Sequence, residues 1–291
     1  MSAIASEIAS QPACWRRAVE LAAAVEAGLP RQGERVAAIG CGTSLYVARA
    51  YAVLRESSRR GWTDAFPASE FPRNRSYDRV VAITRSGTTT EILRLLGDLE
   101  AGSRVVLTAD AGSPAATLAE ARVVLDFADE RSVVQTRFPT SVLAMLRATL
   151  GEDLARAIAD AELALEAPFP VKPEEIDHAV FLGHGWTVGI AEEAALKFRE
   201  AARTSSEAYP AMEYRHGPIS LAGPRSLVWI LDSPDEAIAK DARATGATVR
   251  VASLDPLAEL ILVHRFAVAI AAAKGLDPDH PRYLTRSVVL S

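Results

Sequence analysis

Three charged residues on one stretch of this chain have the types and spacing needed to move protons. Glu193, Lys197 and Glu200 stand four and three apart in EAALKFREAA, so a helix projects all three from one face. His216 follows sixteen positions after Glu200, directly before a Gly-Pro pair. A carboxylate and a histidine presented this way can act as general base and general acid. The same residues also fit a solvated helix with one ion pair and a histidine in a turn. The choice depends on whether the rest of the chain holds a substrate for them.

A second cluster suggests one. The loop Thr84-Arg85-Ser86-Gly87-Thr88-Thr89-Thr90 carries hydroxyls on five of its seven residues and leads into a helix at Glu91. Gly87 permits a tight turn, and a helix N-terminus offers free N–H groups at the positive end of its dipole. The pattern predicts a phosphate site, with Arg85 adding a fixed charge. An N-capping box with extra threonines is the competing account, although a cap needs only one hydroxyl. The stretch Gly40-Cys41-Gly42-Thr43-Ser44 fails as a dinucleotide fingerprint, because Leu45 stands where the third glycine belongs. Thr43 and Ser44 read instead as hydroxyls for a small polar ligand, and Cys41 as a small packed residue.

Apolar β-rich runs alternate with helical patterns throughout, which predicts parallel α/β sheets. Strands are expected at 35–40, 79–84, 104–110 and 122–127, then at 179–185, 226–232 and 248–254. Helices are expected at about 43–58, 89–100, 139–165, 187–204, 234–245 and 258–274. The halves align: Gly40 against Gly183 is an offset of 143, and Ser86 against Ser233 one of 147. The pattern predicts a tandem duplication with doubly wound domains at 1–168 and 169–291, divided near the EAPFPVKPEE segment. Ligands of such sheets sit outside the carboxyl ends of the strands. In the second half the equivalent loop, Asp232-Ser233-Pro234-Asp235-Glu236, would repel an anion, so phosphate is expected in the first half alone.

Composition narrows the classes further. The chain has 291 residues, 49% apolar and 24% charged, with a net charge of -5, which gives no basic footprint for nucleic acid. Two cysteines and five scattered histidines provide neither a disulfide framework nor metal-ligand spacing. The first residues lack the apolar core of a secretion signal, and LILVHRFAVAIAAAKG, interrupted by His264 and Arg265, reads as a buried helix. The expectation is a soluble cytoplasmic protein with no metal, cofactor, membrane or nucleic-acid partner.

These residues resemble the sugar isomerase (SIS) superfamily over nearly the full length, most closely the isomerase half of glucosamine-6-phosphate synthase and its stand-alone deaminase/isomerase relatives. The resemblance runs from Glu7-Ile8-Ala9-Ser10-Gln11-Pro12 through CGTS (41–44), Ser86-Gly87, E-x3-K-x2-E (193–200), EAY (207–209) and HGP (216–218) to Asp279-His280-Pro281-Arg282-Tyr283-Leu284. It implies two flavodoxin-like SIS domains and a phosphosugar ligand. Thr43 and Ser44 take the positions of sugar contacts, and Thr84, Arg85, Ser86 and Thr89 those of the phosphate loop. Val133 to Thr136, with Gln135, resembles the loop leaning over the sugar. Glu200 matches the base shuttling a proton between C1 and C2, and Lys197 a structural lysine beside it. His216 matches the ring-opening histidine that a neighbouring subunit supplies, which implies a homodimer.

Arg286 stands where the synthase carries an imine-forming lysine. Arginine stays protonated, so imine chemistry there is not expected, although it could pair with an alkoxide or help hold the phosphate. With no glutaminase domain in the sequence, reaction from glutamine is not expected either. Three functions fit: an amino-sugar-6-phosphate deaminase/isomerase, a plain phosphosugar isomerase or fructosamine-6-phosphate deglycase, and a non-catalytic phosphosugar-binding regulator.

Overall fold

A computed structural model describes residues 2–290. In chain order the elements are α1 (Ala3–Ala9), α2 (Gln11–Val25), β1 (Val36–Gly40), α3 (Thr43–Ser57), β2 (Thr63–Pro67), β3 (Arg79–Ile83), α4 (Thr90–Asp98), β4 (Arg104–Thr108), α5 (Pro114–Leu118), β5 (Ala121–Val124) and α6 (Arg137–Thr149). There follow α7 (Ala155–Glu166), β6 (His178–Gly183), α8 (Thr187–Ala202), β7 (Ser205–Pro210), β8 (Ser226–Ile230), α9 (Ala237–Ala244), β9 (Thr248–Val251) and α10 (Pro256–Ala273).

Two compact units result. One is Ala13–Leu154 with the segment from Thr285 onward, and the other is the segment up to Pro12 with Ala155–Leu284. The first holds a five-stranded sheet in the order β2-β1-β3-β4-β5, the second a four-stranded sheet in the order β7-β6-β8-β9. Every pairing is parallel. The strands form where Val, Ile and Ala run together without alternation, and β1 and β8 are buried at every position. Such runs suit sheets covered by helices on both faces.

In the five-stranded unit the core gathers Ile39, Val80, Val106 and the inner face of α4, Ile92, Leu95 and Leu96. In the four-stranded unit Val180, Leu182, Val228 and Ile230 pack with Tyr214 and Ile238. The helix expected at 139–165 is two, α6 and α7. Gly151 takes φ +93° in the break, a conformation that would interrupt a continuous helix. Two strands lacked a sequence signal, β2 (TDAFP) and β7 (SSEAYP). Both are edge strands ending in proline, where a missing N–H costs no ladder bond. Helix α10 is long and apolar enough to cross a membrane by composition, but most of it is buried against α7 and α8.

Candidate active site

The order 2-1-3-4-5 places the topological switch of the five-stranded sheet at β1 and β3, and the predicted sugar and phosphate residues follow those strands. Thr43 and Ser44 form the first turn of α3, each 3% exposed. Gly40 is obligatory beneath them: a Cβ there would lie 2.4 Å from the Ser44 backbone. Cys41 has its thiol pushed up to about 11 by burial, with the Glu91 charge adding to the effect, so it is not an activated nucleophile.

After β3 the chain turns at Gly87, whose φ is +63° and whose Cβ position lies 2.1 Å from Ser113 Oγ. Ser86 Oγ accepts from the Thr88 N–H at 3.3 Å. The Thr88 hydroxyl lies 3.0 Å from Ser86 Oγ and 2.9 Å from Ser287 Oγ, so it can donate to one and accept from the other. Thr89 is the N-cap of α4, but its side chain makes no cap bond and stands 3.4 Å from Ser287 Oγ. Simple N-capping therefore does not account for these hydroxyls. Thr84 is buried, and its N–H continues the ladder to the Leu107 carbonyl at 2.9 Å.

The last residues lie along this loop. The Thr90 N–H donates to the Val288 carbonyl at 3.1 Å, and the Leu290 N–H donates to Thr90 Oγ1 at 2.9 Å. Ser86, Thr88, Asp110, Asp129, Arg286 and Ser287 help line a cavity of about 500 Å³, which is within the usual range for small-molecule sites. A cavity of about 550 Å³ elsewhere in the same unit is lined by residues such as Arg73, Tyr77, Asp98 and Ser103 and holds none of the predicted site residues.

Arg85 differs from its sequence expectation. It is 2% exposed, and its guanidinium donates to the Ser132 carbonyl at 2.8 Å and the Arg286 carbonyl at 2.6 Å, with Glu130 Oε2 4.0 Å away. The contacts recorded for this charge are protein carbonyls and a carboxylate, the partners a buried cation requires. Arg286 is also engaged: it donates to Asp129 at 2.6 and 2.9 Å and to the Glu130 carbonyl. Its positive charge rests on a carboxylate, where the sequence suggested an alkoxide partner.

Glu130, which the sequence reading missed, holds the 130–136 loop. Its Oε1 accepts from the Thr136 N–H, from the Thr136 hydroxyl at 3.0 Å and from the Arg137 N–H at 2.8 Å, capping α6. An acid shortly before a helix start was the available signal. Val133 and Gln135 are half-buried, and Gln135 Oε1 is a buried acceptor with no hydrogen-bond partner among the described residues.

In the four-stranded unit α8 presents the first cluster as expected. Lys197 Nζ donates to Glu200 Oε2 at 2.6 Å and lies 3.3 Å from Glu193 Oε1. The Lys197 and Glu193 side chains are 1% and 2% exposed, whereas Glu200 is 21% exposed. Behind them His264 is 2% exposed, with Nδ1 3.3 Å from Gln11 Nε2. Burial, and then the Lys197 charge, holds its imidazole well below the usual range, so it is neutral. His216 is exposed after a turn at Ala211–Arg215, and its ring has no hydrogen-bond or ion-pair partner among the described residues. Arg215 fixes that turn by donating to Asp235 at 2.6 Å and Asp241 at 2.7 Å. The acidic loop after β8 serves its own helix: Asp235 Oδ1 accepts from the Ala237 N–H at 2.9 Å. Among the described residues no group of three or more His, Cys, Asp or Glu is placed to hold a metal ion.

Residues 174–256 match the family model described as SIS domain. The glutamine–fructose-6-phosphate aminotransferase [isomerizing] of Sulfurisphaera tokodaii is 29% identical over 301 residues, covering 89% of this chain and 51% of the relative. The chain spans about half the length of such relatives. The Thermotoga maritima glucosamine-6-phosphate deaminase structure superposes with a TM-score of 0.84 at 24% identity, covering 99% of this chain and 100% of that one. The Escherichia coli tagatose-6-phosphate ketose/aldose isomerase gives 0.78 at 18%, covering 100% and 96%. Residues 174–256 thus carry a SIS domain. The chain is homologous to the isomerase half of the glutamine–fructose-6-phosphate aminotransferases.

Proposed function

We propose that the protein is a deaminase/isomerase of an aminohexose 6-phosphate. The observation that carries this reading is the α8 cluster, in which a buried lysine orients Glu200, the one carboxylate of the cluster that reaches solvent. Ser86, Thr88 and Thr89, with the α4 N-terminus, are assigned to the phosphate ester, which directs remote binding energy into positioning. Thr43, Ser44 and the 133–136 loop are assigned to sugar hydroxyls, and the unmatched Gln135 acceptor suits a hydroxyl donor.

Glu200 takes the proton from C2 of the open-chain aldehyde and returns it to C1 through an enolamine. The product is an imine at C2; water adds there, the C–N bond breaks and ammonia leaves with the ketose phosphate. His216, exposed in the single chain, assists ring opening, supplied in this reading by a second copy in a homodimer. The two units are read as repeats of one ancestral domain. Gly42 and Gly185 share φ +55°, and the Cβ positions of Gly40 and Gly183 both lie 2.4 Å from backbone four residues on.

The test is ammonia release and ketose formation over a panel of hexose and hexosamine 6-phosphates. Ammonia from glucosamine 6-phosphate is expected. Ketose formation without ammonia points to a plain isomerase, and binding without turnover across the panel to a regulator; either overturns the deaminase reading.

A further inference from the structure

Three segments of the five-stranded unit converge on one buried side chain. Arg85 belongs to the hydroxyl-rich loop after β3, yet its two terminal nitrogens reach the Ser132 carbonyl in the 130–136 loop and the Arg286 carbonyl in the C-terminal segment. Arg286 in turn donates to the Glu130 carbonyl, and the Glu130 carboxylate lies 4.0 Å from Arg85. The links close into a ring: Arg85 to Arg286, Arg286 to Glu130, Glu130 to Arg85. Asp129 anchors the outer arginine through both carboxylate oxygens. The segment so held places the Val288 carbonyl on the Thr90 N–H, one of the N-terminal donors of α4 that would otherwise face an anion.

We propose that Arg85 is a positioning residue, a buried clasp that fixes the C-terminal strap, residues 285–290, and the 130–136 loop around the anion loop without itself touching the anion. A guanidinium suits this work because its planar fork serves two carbonyls at once and keeps its charge when buried. The strap then competes with the anion for the Thr90 N–H, so loosening it leaves the anion loop intact and its donor freer. The proposal rests on assigning the 84–90 loop to an anion, but its first readout does not.

That readout is backbone hydrogen exchange of the full-length protein with Arg85→Met. Loss of two charge-assisted hydrogen bonds should raise exchange of the Leu290 and Thr90 amides about tenfold or more, with the α8 amides unchanged. The second readout is binding of inorganic phosphate by titration calorimetry, expected to stay within about twofold or tighten, since the clasp contributes position and not contact. The third splits kinetics on whichever sugar phosphate the wild type turns over: kcat should fall more than KM rises. Unchanged strap exchange overturns the proposal, as does tenfold weaker phosphate binding with the strap still protected, which would make Arg85 an anion ligand. If the wild type turns over no sugar phosphate, the enzyme reading fails while exchange still decides the clasp. Should Arg85→Met not fold, Arg85→Lys takes its place with the same outcomes, because one ammonium cannot span both carbonyls.

Discussion

Lys197 donates to Glu200 at 2.6 Å while lying 3.3 Å from Glu193, so one buried ammonium bridges two carboxylates on the same helix. The two acids are not equivalent. Glu193 is enclosed and balances the lysine, whereas Glu200 presents an edge to solvent. That asymmetry separates a structural acid from one able to exchange protons.

Glu200→Gln keeps the size and the contact to Lys197 but removes the base. Turnover of the preferred sugar phosphate should fall by about 10²–10⁴, with binding changed by no more than a few-fold. Steady-state kinetics beside calorimetry check this, and unchanged turnover would remove Glu200 from the chemistry.

Lys197→Met leaves Glu193 buried without its counter-charge and should cost about 3–5 kcal/mol in urea unfolding. Adding Glu193→Gln should recover much of that loss. A double variant no more stable than Lys197→Met alone would show that the pair is not coupled.

Gly87→Ala sets a methyl group against Ser113 in a backbone conformation suited to glycine. The expected cost is about 1–3 kcal/mol of stability. Adding Ser113→Gly should relieve the clash but not the backbone strain, so rescue should be partial.

His264 gives stability a pH dependence whose sign is fixed by its environment. Its folded pKa lies below the unfolded value near 6.5, so the unfolded chain binds the proton more readily. The neutral imidazole's contribution is present above about pH 6.5 and is lost as pH falls through that value. This group adds a slope of up to about 1.4 kcal/mol per pH unit. Unfolding midpoints from pH 7.5 to 5 should decline less steeply in His264→Gln. Equal slopes in the two proteins would contradict the assignment.

Much of this molecule is written locally. The apolar runs of β1, β3, β4, β6 and β8 mark themselves, because strands covered on both faces need continuous apolar sequence. Strands β2 and β7, half-exposed at sheet edges, need no such run and carried no signal. The spacing of Glu193, Lys197 and Glu200 was legible because helix geometry fixes which residues share a face. Arg85 was legible as a charge but not in its direction. Its partners Ser132 and Arg286 are 47 and 201 positions away, and no local pattern encodes them. Glu130 was missed for a different reason: its partners Thr136 and Arg137 are local, but the helix start they form was expected two residues later, at 139.

Each compact unit draws a piece from the opposite end of the chain. Helix α1 lies in the four-stranded unit, where the Ala3 and Ile4 N–H groups both bond the Asp279 carboxylate at 2.8 Å, while the residues after Leu284 belong to the five-stranded unit. No single scission can therefore release two complete halves. A cut after Leu154 leaves α1 on the fragment with the five-stranded sheet and the clasped tail on the fragment with the four-stranded sheet. Shuffling that moved either half alone would export a defective module, so the two sheets are constrained to be inherited together.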